Sequence, residues 1–241
     1  MASKILERSG RSVVEYCNLI GWKPSHVCIV GVGPQHGEIL PMQAAWPDTT
    51  YTGFEPHPDV CAQASKDFPG DLYAYAVSDH SGKSTLYVPR NWKNGCSLFE
   101  LDPKIQCKTV EVDLVRLDDI FPFIPGKSMV YSRDRDTLLW LDCEGSELNA
   151  LVGGEHFIDE RVMMVNIEIT GIPRGKDWCK PIQVHRRLMK SGFLQTWSHT
   201  HRTAIGQWDG IYVRPNIFKP QFCNSLDSVE RYEELLKDDN K

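Results

Sequence analysis

The stretch Val27-Cys28-Ile29-Val30-Gly31-Val32-Gly33-Pro34-Gln35-His36-Gly37-Glu38-Ile39-Leu40 decides the fold. Val27 to Val30 form an apolar, mostly β-branched run, a glycine-rich turn follows, and Glu38-Ile39-Leu40 opens a helical pattern. A strand that feeds a glycine turn and then a helix begins a doubly wound α/β domain, where ligands sit beyond the carboxyl ends of the strands. Glycines there let backbone N–H groups approach a ligand near a helix N-terminus. The spacing fits neither G-x-G-x-x-G nor G-x-x-x-x-G-K-[ST], so the turn alone names no ligand.

Upstream, Ser12 to Ile20 reads as an amphipathic helix stopped by Gly21 and Pro24, a cap for the sheet or a cover for the ligand. Downstream, Thr50 to Glu55 is a second strand ending in an acid, followed by a helix from about Val60 to Asp67. Leu72 to Val77 predicts a third strand, ending at Ser78-Asp79. Ser84 to Val88 and Lys108 to Leu114 alternate as short strands of an insertion or edge hairpin. Leu138 to Leu141 is the strongest buried-strand signal; it ends in Asp142-Cys143-Glu144-Gly145-Ser146-Glu147, before helical Leu148 to Leu151. Val162 to Glu168 repeats the pattern, a helix spans Ile182 to Lys190, and Phe193 to Trp197 with Gly210 to Val213 predict a terminal antiparallel pair. Near-continuous apolar strands alternating with helices imply a mostly parallel sheet covered on both faces. One domain is expected: a helical cap over 1–24, a core over 25–216, and a surface segment over 217–241 that holds an acidic helix from Val229 to Asp239.

The chain has 27 Lys and Arg against 32 Asp and Glu, a net charge of -5, which argues against holding long nucleic acid by phosphate neutralisation. No apolar run approaches the ~20 residues of a membrane span. Eight cysteines without a C-x-x-C pair read as reduced thiols rather than a zinc site, and an intracellular, cytoplasmic location is expected.

The strand ends carry the chemistry. Glu55, some twenty residues beyond the glycine turn, can accept hydrogen bonds from vicinal ribose hydroxyls, and disfavours a cofactor with a 2′-phosphate. Ser78 and Asp79 can meet an adenine edge or simply form a turn. Asp142, Glu144, Glu147 and Glu168 gather carboxylates at mid-sheet, costly to bury unless paired or functional. Ser146 and Glu147 are explained by helix N-terminal capping alone. His199 and His201, flanking the last strand pair, are histidines of the kind that act as bases near neutral pH.

In order, V-G-V-G-P-Q-H-G, G-F-E-P-H-P-D, A-V-S-D-H-S-G-K-S-T-L-Y-V, V-R-L-D-D-I, L-L-W-L-D-C-E-G-S-E-L-N-A-L-V-G-G and V-N-I-E-I resemble the FkbM family of methyltransferases from about residue 27 to 169. The resemblance implies a seven-stranded, Rossmann-like class I methyltransferase fold and S-adenosylmethionine as cofactor. Its methionine part would lie on the loop Gly31, Gly33, Gln35, His36 and Gly37, its ribose on Glu55 beside Pro56, and its adenine near Ser78 and Asp79. O-methylation of a sugar, glycan or small natural product follows from the same likeness. Asp142 is expected as base or substrate-orienting group and cofactor contact, with Glu144, Glu168 and His199 as further catalytic candidates. A divalent cation on these carboxylates is compatible but not required. One departure stands out: Gly31 occupies the position where the family usually carries an acid, leaving Glu38 or Asp142 to substitute for it. That departure keeps open a non-catalytic cofactor-binding module, while an RNA ribose methyltransferase would need a basic groove.

Overall fold

The computed structural model describes residues 2–34, 37–90, 95–122, 136–200 and 206–217. Helix α1 (Ala2–Ile20) starts ten residues earlier than the apolar pattern suggested, because Ala2, Lys4, Leu6, Glu7 and Arg8 are good helix formers. It ends at Gly21, whose φ of 68° lets the Trp22 N–H turn back to the Cys17 carbonyl. There follow β1 (His26–Val30), α2 (Ile39–Ala45), β2 (Thr50–Phe54), α3 (Pro58–Ala64), β3 (Asp71–Tyr73), β4 (Tyr75–Val77), β5 (Gly82–Pro89), β6 (Cys107–Val115) and α4 (Leu117–Ile120). The remainder is β7 (Thr137–Leu141), α5 (Glu147–Gly153), α6 (Glu155–Arg161), β8 (Val162–Thr170), α7 (Pro181–Lys190), β9 (Leu194–Thr200), β10 (Gln207–Val213) and a 3-10 turn at Pro215–Ile217.

Seven strands form one sheet in the order β3-β2-β1-β7-β8-β10-β9, parallel except that β10 runs against both its neighbours. The chain moves outward from β1 to β2 and β3, then crosses back to β7, so the strand order reverses between β1 and β7. That crevice is where an open α/β sheet binds its ligand. Register aligns the exits: Val30 pairs with both Phe54 and Leu141, and Leu141 pairs with Ile167. Gly31, Glu55 and Asp142 therefore leave the sheet side by side, level with Glu168 inside β8.

Alternation along the strands divides the core between two faces. Val27, Ile29, Leu138, Trp140, Met164 and Ile211 pack under α1, α2 and α3 with Val13, Cys17, Ile39, Met42 and Ala64. Cys28, Val30, Leu139, Leu141, Val165 and Ile167 pack under α5, α6 and α7 with Ala150, Leu151, Phe157, Val184 and Leu188. The expected strand pair at the end of the chain is present as β9 and β10.

The third strand differs from expectation. Leu72 to Val77 is split: β3 pairs with β2, the chain steps at exposed Ala74, and β4 pairs in parallel with the last three residues of β6. The alternating insertion, β5 and β6, is thus one hairpin of a second, three-stranded sheet rather than an extension of the main one. Its apolar side, Ala76, Leu86, Val88, Val112 and Leu114, makes a small core of its own. The acidic helix expected over Val229 to Asp239 lies outside the described residues.

Candidate active site

The glycine turn begins where β1 ends. Gly31 has φ 88°, and a Cβ there would lie 1.8 Å from the Asp142 carbonyl oxygen. The neighbouring strand's backbone fills the space an acid at position 31 would need, so the glycine is a packing requirement of the β1–β7 junction. Gly33, φ 65°, has none of the described residues within 4 Å of where its Cβ would be, a backbone cradle beside the switch point. Gly37 is buried just before α2. Gln35 and His36 lie outside the described residues.

Glu55 closes the turn from β2. It is 6% exposed; Oε2 accepts from the Gly33 N–H at 2.9 Å and Oε1 from the His57 N–H at 2.8 Å. The carboxylate ties the glycine turn to the start of α3, with half-buried Pro56 between. Burial raises its pKa, and the two N–H bonds oppose the rise. A carboxylate has about four lone-pair sites, so two remain for a ligand's hydroxyls.

Ser78 and Asp79 end β4. Ser78 is buried, its hydroxyl donating to Asp79 Oδ1 at 3.1 Å, while Asp79 pairs with His80 at 2.7 Å and lies at the surface. The Asp79 pKa is lowered, first by the His80 contact. Helix α5 presses on this turn, since a Cβ on Gly153 would lie 1.9 Å from the Ser78 carbonyl.

On the far side of β1 the acids gather. One carboxylate oxygen each from Asp142, Glu144 and Glu168 lie within 4.8 Å of one another, a spacing hard divalent cations can span. Glu144, at φ 50°, is ion-paired with Arg174, and Ser97 Oγ donates to its carbonyl at 2.8 Å. Arg174 in turn lies over the Trp178 ring at 5.0 Å, and Trp178 covers Gly145, where a Cβ would lie 2.5 Å from the indole. Glu168 accepts from Gln207 Nε2 at 2.9 Å. Its pKa is raised well above the usual carboxylate range, chiefly by burial and then by Asp142, Asp209 and Glu147.

Register adds a residue that sequence reasoning passed over. Glu168 faces Asp209 across β8 and β10, and Asp142 follows the Leu141–Ile167 pair, so Asp142, Glu168 and Asp209 form a row over three adjacent strands. One pleat below, Asn166 is fully buried, and both its amide atoms lack a partner among the described residues. The expected terminal strand starts at Gly210, one residue short of Asp209, whereas β10 reaches back to Gln207 and so takes in Asp209. Arg174 carried no strand or helix pattern to mark it, since it lies in the connection between β8 and α7.

Two expectations change. Ser146 makes no side-chain cap, and its buried hydroxyl lacks a partner among the described residues. Glu147 accepts from the Gly145 N–H at 3.0 Å and from Cys179 Sγ at 3.1 Å, tying the segment before α7 to the start of α5. His199 lies on β9, with its backbone paired to Asp209, and His201 lies outside the described residues.

A mostly parallel sheet with this switch point and strand order, a glycine cradle and an acid at the end of the second strand make up the class I methyltransferase fold. The sequence matches the family described as methyltransferase FkbM domain over residues 32–201, well over half the chain, and the protein belongs to that family. It is a methyltransferase. No curated protein matches the sequence. Among solved structures it is similar to magnesium protoporphyrin IX methyltransferase from Synechocystis with S-adenosylmethionine bound, at 11% identity over 86% of this chain and 79% of that one, TM-score 0.48. Methyltransferase FkbM from Methylobacillus flagellatus aligns at 14% identity over 79% of this chain and 43% of that one, TM-score 0.45. Fibrillarin from Aeropyrum pernix, with natively bound S-adenosylmethionine, aligns at 8% identity over 80% of this chain and 67% of that one, TM-score 0.45. Among the described residues no helix is long and apolar enough to cross a membrane.

Proposed function

We propose that the protein transfers the methyl group of S-adenosylmethionine to a hydroxyl of a sugar, glycan or other small natural product. The observation that carries this reading is the convergence of Asp142, Glu144 and Glu168 at the ends of β7 and β8, beside the glycine cradle. The cofactor supplies an electrophilic methyl on a sulfonium, which departs as a neutral thioether and needs no acid. The chain's residues have three tasks: hold the cofactor, align an acceptor oxygen with the methyl carbon, and take that oxygen's proton as the O–C bond forms.

Gly31, Gly33 and Gly37, with Gln35 and His36, hold the methionine end, Glu55 beside Pro56 the ribose, and Ser78 and Asp79 the adenine. Asp142 orients the acceptor hydroxyl, and the Asp142–Glu168 pair takes its proton. A carboxyl whose affinity for protons is raised by burial and like charges suits a base working near neutral pH. Arg174 holds Glu144, and Gln207 holds Glu168, so neither carboxylate depends on a metal for a partner. His199 is retained as a second base from β9. The acidic mid-sheet disfavours a polyanionic acceptor such as RNA, which supports a neutral hydroxyl compound. Seven free cysteines among the described residues support a reducing compartment.

The test is mass spectrometry of a glycan and metabolite panel incubated with the protein and isotopically methyl-labelled cofactor. A labelled methyl ether is the expected product. Label found only on nitrogen, carbon or nucleic acid would reject the hydroxyl acceptor.

A further inference from the structure

The family acid absent from position 31 has a counterpart seven residues later. Glu38 follows the glycine turn directly and leads into α2. It is 3% exposed, and its Oε2 has no hydrogen-bond partner among the described residues. An orphaned carboxylate oxygen in the interior is costly unless a cation or donor meets it. Burial is imposed from above by α1, because Gly10 lies so close that a Cβ there would be 2.1 Å from the Glu38 carbonyl oxygen.

The charges that act on this carboxylate point to its ligand group. The charges that act on Glu38 are Asp142 and Asp209, at the β7 and β10 positions of the acidic row, while Glu55 lies across β1 at the end of β2. On the reading that the cofactor straddles β1 with its ribose on Glu55, the opposite side receives the methionine end. The cation there is the α-ammonium. Position 31 itself is closed to an acid, since its φ is 88° and the Asp142 carbonyl fills the side-chain space.

We infer that Glu38 is the receptor for the α-ammonium group of the cofactor's methionine end, in place of an acid at position 31. The chain thus moves the charge from the end of β1 to the start of α2, and lets β1 and β7 close on each other at Gly31. A charge-assisted N–H···O bond to the buried oxygen satisfies both partners. Burial, reinforced by Asp142 and Asp209, raises the Glu38 pKa to about 8, as expected for a carboxyl awaiting a cation.

The inference rests on the cofactor-binding reading above and is tested by calorimetric titration of the full chain with S-adenosylhomocysteine and with its analogue bearing hydrogen in place of the α-amino group. The wild type is expected to bind the amino compound about tenfold or more tighter, as one charge-assisted bond allows. Glu38→Gln is expected to abolish that preference while binding the deamino compound as the wild type does, which also shows that the variant is folded. Should Glu38→Gln fail to fold, Glu38→Asp, with its carboxylate withdrawn by one methylene, is expected to show a reduced preference. A preference unchanged in the folded Glu38 variant, or lost in Asp142→Asn alone, overturns the inference. Binding of neither compound to the wild type overturns the cofactor-site reading itself.

Discussion

A side chain at position 31 would have to share space with the Asp142 carbonyl, 1.8 Å from its Cβ, at a φ of 88° that L-residues rarely adopt. Restoring the family acid by Gly31→Asp is therefore expected to lower the melting temperature, with backbone strain of ~1–3 kcal/mol as the floor, and to leave cofactor affinity no higher. Thermal unfolding and titration check both halves, and an unperturbed, tighter-binding variant would show the junction to be looser than described. Across β1, Glu55 and Asp142 separate binding from chemistry. Glu55→Ala breaks the bonds to Gly33 and His57 and is expected to weaken cofactor binding about tenfold or more, at roughly 1–3 kcal/mol for the lost charged hydrogen bonds. Asp142→Asn is expected to lower kcat while changing cofactor Kd little. Parallel Kd and kcat measurements on the two variants decide whether the tasks divide this way.

At the scale of elements, the main sheet was legible because its strands are apolar on both faces: Val27 to Val30, Leu138 to Leu141 and Val162 to Ile167 announce themselves without help from context. The split between β3 and β4 was not. Leu72-Tyr73-Ala74-Tyr75-Ala76-Val77 has strand character throughout, and only the free edge of β6, contributed by residues nearly forty positions later, draws Tyr75 to Val77 away from β2. Pairing partners decide such a case, and pairing is non-local. The acids at strand ends were likewise visible singly, but their alignment into the row Asp142, Glu168, Asp209 needs the β7–β8–β10 register, which no spacing in the sequence encodes. The seating of α5 has a testable consequence. Gly153 lets the helix rest on the Ser78 carbonyl, so Gly153→Val is expected to displace the Ser78-Asp79 turn and lower both melting temperature and cofactor affinity. A variant with wild-type affinity would remove Ser78 and Asp79 from the adenine side.

For the whole molecule, half-buried His26 and buried Glu38, at opposite ends of the sheet, set opposing responses to pH. His26, between Thr52 and Thr137, is held neutral, its pKa pushed down to about 4 from 6.5 by burial, with Arg161 adding to the shift. Between those values the native state binds fewer protons there than the unfolded chain, so stability rises with pH and is lost on acidification. Glu38 has the reverse sign: with its pKa raised from 4.5 to about 8, the native state keeps a proton the unfolded chain has released, and stability falls as pH rises through that window. Glu168 shifts in the same direction. Above pH 6.5 the decline acts alone, so melting temperatures of the ligand-free protein are expected to fall from there towards pH 8, and less steeply in Glu38→Gln. A decline of equal steepness in the variant would show that Glu38 does not titrate in this window.

The central claim is that the acidic ends of β7 and β8 perform the proton-removing chemistry, while the glycine cradle and Glu55 hold the cofactor. Its most direct test is Glu168→Gln, which keeps shape and removes charge, measured for cofactor Kd and for kcat with an acceptor identified from the panel. The account predicts a Kd within about threefold of wild type and a kcat lower by about 100-fold or more, the scale of a lost general base. A kcat equal to that of the wild type would contradict it.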